Sequence, residues 1–150
     1  MLMRRLEARD RAAVEAMLTG CGAFSTEEVD AALEIFDGEE MAHFGAEADG
    51  VLCGYVCLDR VALTRSTWHV YWLCVDVRWQ RRGVARALMA QAAAFARSMG
   101  GERLVVETSG REDYAGARRF YEQMGFGEAG RIADYYKPGD DCVYYCKLIV

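Results

Sequence analysis

Tyr71-Trp72-Leu73-Cys74-Val75-Asp76-Val77-Arg78-Trp79-Gln80-Arg81-Arg82-Gly83-Val84-Ala85-Arg86-Ala87-Leu88-Met89 is the stretch whose reading decides the fold. An apolar strand runs into a short basic turn holding one glycine, and a long helix starts at once. Backbone N–H groups at a helix start lack partners within the helix and carry the positive end of its dipole, so an anion placed there is stabilised by both. Gly83 lets the backbone come close to such an anion, and Gln80, Arg81 and Arg82 add donors and charge. The stretch reads as a cradle for a diphosphate. Its four arginines, Arg78, Arg81, Arg82 and Arg86, concentrate positive charge in an acidic chain; a solvated helix face is the plainer alternative.

Upstream, Thr67–Val75 sets His69, Tyr71, Leu73 and Val75 on one face and Trp68, Val70, Trp72 and Cys74 on the other. Both faces are largely apolar, which predicts a central strand covered on both sides. Before it, residues 41–46, the Asp49-Gly50 turn and residues 51–58 read as a hairpin. Residues 1–7 predict a first strand. Asp10 is the expected N-cap of a helix burying Val14, Met17 and Leu18, and Ser25-Thr26-Glu27-Glu28 is a capping box for a second, with Val29, Leu33 and Phe36 inward. Phe24 between them reads as core packing or as part of a substrate site.

Downstream, the helix after Gly83 is expected to bury Val84, Leu88, Ala92, Phe95 and Met99 and to end at Gly100-Gly101. Residues 104–108 follow as a strand, so strand, helix and strand form a parallel, right-handed crossover. Ligands collect outside the carboxyl ends of such strands, where Asp76 and Glu107 both lie. A shorter helix over 114–124 turns Ala117, Phe120, Tyr121 and Met124 inward, with Phe126 stapled back onto Tyr121. Residues 128–136, a Lys137-Pro138-Gly139-Asp140 turn and residues 142–149 close the chain as a hairpin.

At 150 residues, 53% hydrophobic and 27% charged, the chain is expected to form a single domain over 1–150. A net charge of −5 disfavours nucleic-acid binding, which needs a broad basic surface. Cys21, Cys53, Cys57, Cys74, Cys142 and Cys146 form no C-x-x-C pair and His43 and His69 are not in ligand spacing, so buried reduced thiols and no metal are expected. With no apolar segment behind the N-terminal charges and no membrane-length apolar run, the expectation is a cytoplasmic protein with no membrane partner.

The order of elements, Gln80-Arg81-Arg82-Gly83-Val84-Ala85, and Ala117-Arg118-Arg119-Phe120-Tyr121 followed by Gly125-Phe126 together resemble the GNAT N-acetyltransferase family over nearly the whole chain. The resemblance implies an α/β acyl-CoA N-acyltransferase fold: a mixed, mostly antiparallel sheet of about seven strands flanked by about four helices, with a splayed parallel pair at its centre. It implies acetyl-CoA as co-substrate, its pantetheine arm along Leu73, Cys74, Val75 and Val77, its diphosphate at Gln80, Arg81, Arg82, Gly83, Val84 and Ala85, and Ala117 and Tyr114 on the cofactor side. Val77 stands where many members have proline, and Tyr114 where many have asparagine. An amine attacks the thioester directly. Tyr121 matches the family's general acid; its inward position also suits core packing.

For the base, His69 has a suitable intrinsic pKa, with Glu107 and a water chain ending on Tyr71 as rivals. An acyl-cysteine at Cys74 has no activating base in the sequence. Asp134-Tyr135-Tyr136 is similar to the tyrosine-rich segment of protein N-terminal acetyltransferases of the RimI type, so the acceptor is a peptide N-terminus or a small-molecule amine, bound by a monomer or homodimer with Phe24 and Tyr71 among the lining residues. A non-catalytic acyl-CoA sensor is the alternative.

Overall fold

The computed structural model describes residues 1–150. Along the chain run β1 (Leu2–Arg5), α1 (Arg11–Gly20), α2 (Thr26–Asp37), β2 (Ala42–Ala48), β3 (Val51–Arg60), β4 (Thr67–Val75), α3 (Val84–Ser98), β5 (Arg103–Ser109), α4 (Ala115–Gln123), β6 (Gly127–Lys137) and β7 (Asp140–Leu148). The strands hydrogen-bond as one seven-stranded sheet in the order β1-β2-β3-β4-β5-β7-β6. β4 and β5 are parallel, whereas β1–β2, β2–β3, β5–β7 and β6–β7 are antiparallel. The chain divides into two compact units, Met1–Asp59 with Val70–Phe95, and Arg60–His69 with Ala96–Val150.

In the first unit α1 and α2 lay Val14, Leu18, Ala32, Leu33 and Phe36 against Tyr55, Cys57 and Cys74. The Ser25 capping box forms as expected, with Glu28 N–H donating to Ser25 Oγ and Ser25 N–H to Glu28 Oε1, both at 3.2 Å. Asp10 sits at the α1 N-cap position but makes no side-chain cap there. Its carboxylate instead accepts from the Glu7 N–H at 2.8 Å, capping the preceding 3-10 turn, and from the Arg4 guanidinium fork at 2.7 and 3.0 Å. β3 and α3 are in tight contact: a Cβ on Gly54 would lie 2.8 Å from both Val84 and Leu88. Phe95 is half-buried, tilted against Phe44 at 5.2 Å.

Covering on both sides of β4 is not complete. Trp68, Val70 and Cys74 are buried, but Tyr71 on the other face is 39% exposed. The parallel ladder holds only three pairs, ending at His69↔Val105, although β4 runs on to Val75 and β5 to Ser109.

A buried polar pair lies in the first unit. His43 and Tyr55 hydrogen-bond at 2.7 Å between Nδ1 and the phenol oxygen, and desolvation, helped by the Arg5 charge, lowers the His43 pKa to about 4. The unfolded chain binds that proton near pH 6.5, so the stability contributed by neutral His43 is complete above that value and is lost as pH falls toward 4. Between pH 7 and pH 4.5 the loss is expected to be about 2 kcal/mol. Urea titrations of the native protein and of His43→Gln at both pH values check this: a native protein no more acid-sensitive than the variant refutes it.

In the second unit the inner face of the α3 segment ends on Ala96, and Met99, expected in the core, is 60% exposed. The helix stops at Ser98, so Met99 falls in the Gly100-Gly101 turn and leaves the buried stripe. The helix predicted over 114–124 begins one residue later, after a 3-10 turn over Glu112–Tyr114, and none of its residues is fully buried. It is held at its end by Lys147 Nζ donating to Met124 O at 2.7 Å and by Phe126 against Tyr121, ring centres 5.8 Å apart. β6 is exposed along its whole length, and between Ile132 and Lys137 its pairing with β7 slips by several residues.

Candidate active site

The turn expected to cradle an anion belongs to the first unit. Between β4 and α3 the backbone takes left-handed conformations at Arg81 (φ 61°) and Gly83 (φ 82°). The glycine is therefore required by conformation, and the space its Cβ would fill is open. Val84, Ala85 and Arg86 open a 15-residue helix whose first internal bond is Ala87 N–H to Gly83 O, so their N–H groups are available to an anion. Arg81, Arg82 and Arg86 are exposed and in no ion pair, with Arg82 stacked over the Trp79 ring at 5.1 Å. Arg78 does not join them. It forks onto Asp76 at 2.9 and 3.0 Å and holds that carboxyl below its usual range. Gln80 is exposed, and its side-chain amide donates to Val75 O at 3.1 Å, tying the loop to the strand end.

Also in the first unit, Phe24 packs edge-on against Trp72 at 5.0 Å, beside the cluster containing Cys21 and Cys74. The hydrogen bond with Cys21, followed by burial, pushes the Cys74 pKa well up, so Cys74 is a poor nucleophile. Leu73 is half-buried, and Val77 is 55% exposed in the turn.

A carboxylate cluster forms in the second unit. His69 on β4 and Glu107 on β5 meet with Nε2 3.8 Å from Oε1. The other oxygen, Oε2, accepts from the Tyr136 hydroxyl at 3.3 Å and from the Cys142 thiol at 3.1 Å. Burial lowers the His69 pKa, only partly opposed by Glu107, so the imidazole is neutral near pH 7. Desolvation raises Tyr136 and Cys142, leaving both as protonated donors. The slip in β6 is what brings Tyr136 there. Asp134, at φ 54°, accepts from Gly139 N–H at 2.7 Å and donates its own N–H to Asp141 at 3.0 Å, closing a loop that carries Tyr135 and Tyr136 edge-to-face at 5.0 Å. Asp134 is thus occupied as a brace of the loop.

Tyr121 lies on the half-buried face of α4, between Phe126 at 5.8 Å and Tyr145 at 6.0 Å. Desolvation alone pushes its phenol up to about 12. Tyr114 is 38% exposed at the N-cap position of α4, and Ala117 is half-buried one turn on. Arg118, which lies in the Ala117-Arg118-Arg119-Phe120-Tyr121 motif but was given no role of its own, ties α4 to the end of β5 by donating to Ser109 O at 2.8 Å and Arg111 O at 2.7 Å. Cys142 was also missed as a site residue. Its only sequence signal is the alternation of β7, useful once the Glu107↔Tyr144 register is known.

The model of the acetyltransferase (GNAT) family matches residues 6–126. The N-alpha-acetyltransferase RimI of Mycobacterium tuberculosis is 33% identical over 96 residues, which cover 63% of this chain and 58% of the relative, so the match spans little more than half of that protein's length. Among solved structures, a GNAT-family protein of Desulfovibrio desulfuricans superposes with a TM-score of 0.96 at 32% identity over 99% of both chains. The ribosomal-protein-S18-alanine N-acetyltransferase of Escherichia coli shares the fold, with a TM-score of 0.84 at 23% identity over 99% of this chain and 93% of its own. With a family match reaching from residue 6 to Phe126, this chain belongs to the GNAT acetyltransferase family.

Proposed function

We propose that the chain, acting as one domain over 1–150, is an acetyl-CoA-dependent N-acetyltransferase that acylates a primary amine by direct attack in a ternary complex. The observation that carries this reading is the cradle at α3: left-handed turns at Arg81 and Gly83, open helix N–H groups and three unpaired arginines suit a diphosphate. Gln80 to Ala85 would hold that diphosphate and the backbone of Leu73 to Val77 the pantetheine arm, with Ala117 and Tyr114 as further cofactor contacts. Acetyl-CoA supplies the activated thioester.

Glu107 is the base in this reading. Its side chain is 30% exposed against 12% for His69, so an acceptor ammonium reaches the carboxylate more readily than the ring. The carboxylate takes a proton from the amine, directly or through a water, and His69 borders it as a neutral neighbour. As the N–C bond forms and the C–S bond breaks, the Tyr121 hydroxyl gives its proton to the departing sulfur. Exposed Tyr136, bonded to Glu107, and Tyr135 packed against Tyr136 supply aromatic faces that, with the carboxylate, suit an ammonium. That supports a peptide or protein N-terminus, or a small amine, as acceptor. The chain has no helix long and apolar enough to cross a membrane. Its six thiols are unpaired, which fits the reducing cytoplasm.

Calorimetry with acetyl-CoA, CoA and ATP tests the first step. Both CoA species are expected to bind, with affinity weakened about tenfold or more by Arg81→Ala combined with Arg82→Ala; binding of neither species overturns the reading. A thiol-release screen over free amines, polyamines, amino acids and short peptides identifies the acceptor. Acetyl-CoA binding with no thiol release from any primary amine would make the chain a non-catalytic acyl-CoA sensor.

A further inference from the structure

Glu107 is faced by polar groups from three strands: His69 on β4, Tyr136 on β6, and Cys142 and Tyr144 on β7. None carries positive charge at neutral pH. His69 is kept neutral by burial, and the two phenols and the thiol are kept protonated by desolvation and by the carboxylate itself. Hydrogen bonds rather than an ion pair therefore orient this carboxylate. Tyr136 sits on an exposed strand, so its position depends on the β6 loop. Cys142 does not. It is fully buried on β7, opposite Ser109 and one diagonal step from Glu107. Its sulfur lies 3.1 Å from Oε2 and 3.7 Å from the Tyr136 hydroxyl, so thiol and phenol close on the same oxygen.

We propose that Cys142 is a positioning residue for Glu107: its thiol, fixed in the sheet, donates to Oε2 and holds the carboxylate in place. The proposal rests on the reading of Glu107 as the base. A donor aimed at a carboxylate stabilises the ionised state, so losing it moves protonation to higher pH. Serine keeps a donor at this position and alanine does not.

The test compares native protein, Cys142→Ala and Cys142→Ser by two readouts. One is the acidic limb of kcat/KM for thiol release; the other is the pH titration of the Glu107 side-chain carboxyl by carbon-13 NMR, assigned with Glu107→Gln and read without any ligand or turnover. In Cys142→Ala both midpoints are expected to rise by about half a pH unit to one unit. Cys142→Ser should return both to the native position or below, and acetyl-CoA affinity should change less than about twofold in either variant. An NMR midpoint unmoved by Cys142→Ala overturns the proposal, as does an equal shift in both variants, which would report packing rather than donation. An NMR shift with an unmoved kinetic limb also overturns it, because Glu107 would then not be the base. Native protein that binds CoA and releases no thiol, with the NMR shift present, sinks the catalytic reading and leaves the thiol–carboxylate bond standing.

Discussion

Tyr121→Phe is expected to lower kcat by about 10² or more while acetyl-CoA affinity stays within about twofold of native. The ring is held by Phe126 and Tyr145, contacts that phenylalanine keeps, so the variant loses only the hydroxyl. Desolvation holds the phenol near 12, so it is protonated throughout the neutral range. A pKa that high suits an acid only if the departing thiolate is also made more basic, and a site dry enough to raise the phenol does that to a thiolate. The rate should accordingly show no loss on the alkaline side from this group below about pH 10. Steady-state thiol release together with calorimetry measures both quantities; an unchanged kcat rejects the acid role and leaves Tyr121 as core.

Glu107→Gln is expected to reduce kcat/KM by about 10² to 10³. Glutamine keeps the shape, and its carbonyl oxygen can still accept from Tyr136 and Cys142, so the strand pairing of β5 with β7 is left intact. What it lacks is a site for the amine's proton. In the native protein the rate should rise with pH as the base ionises, and that acidic limb should vanish in the variant. His69→Ala separates the rivals: with Glu107 as base it costs less than Glu107→Gln and leaves the limb in place. A flattened limb in His69→Ala would transfer the role to the imidazole.

How far the chain is legible from its sequence can be followed residue by residue. Thr67–Val75 was expected as a strand between those same two residues, and it is one, because alternation of branched and aromatic side chains is a local signal. The Ser25 box and the Asp49-Gly50 turn were legible for the same reason: their donors and acceptors lie within three residues. Asp10 also carries a local signal, and it misled. Arg4, six residues back, is placed against it by the β1 strand, and the carboxylate caps the preceding 3-10 turn rather than α1. Arg78 was counted with the anion site, yet Asp76 two residues away neutralises it. The basic glycine turn itself was readable, although Gly83 proved necessary for its backbone angle, which no composition argument specifies.

The sequence by itself determined the kinds and order of the elements, the parallel crossover through α3, the basic glycine turn at the start of α3 and the family resemblance, because each rests on contacts between near neighbours or on a period of side chains. Only the tertiary structure decided which side chains share the Glu107 carboxylate. His69, Tyr136 and Cys142 are separated from it by 38, 29 and 35 residues, and they meet through the β4–β5 and β5–β7 registers and the slip in β6. A register shift of one residue would turn each of them to the opposite face of the sheet, and nothing within a single strand states which register its partner adopts.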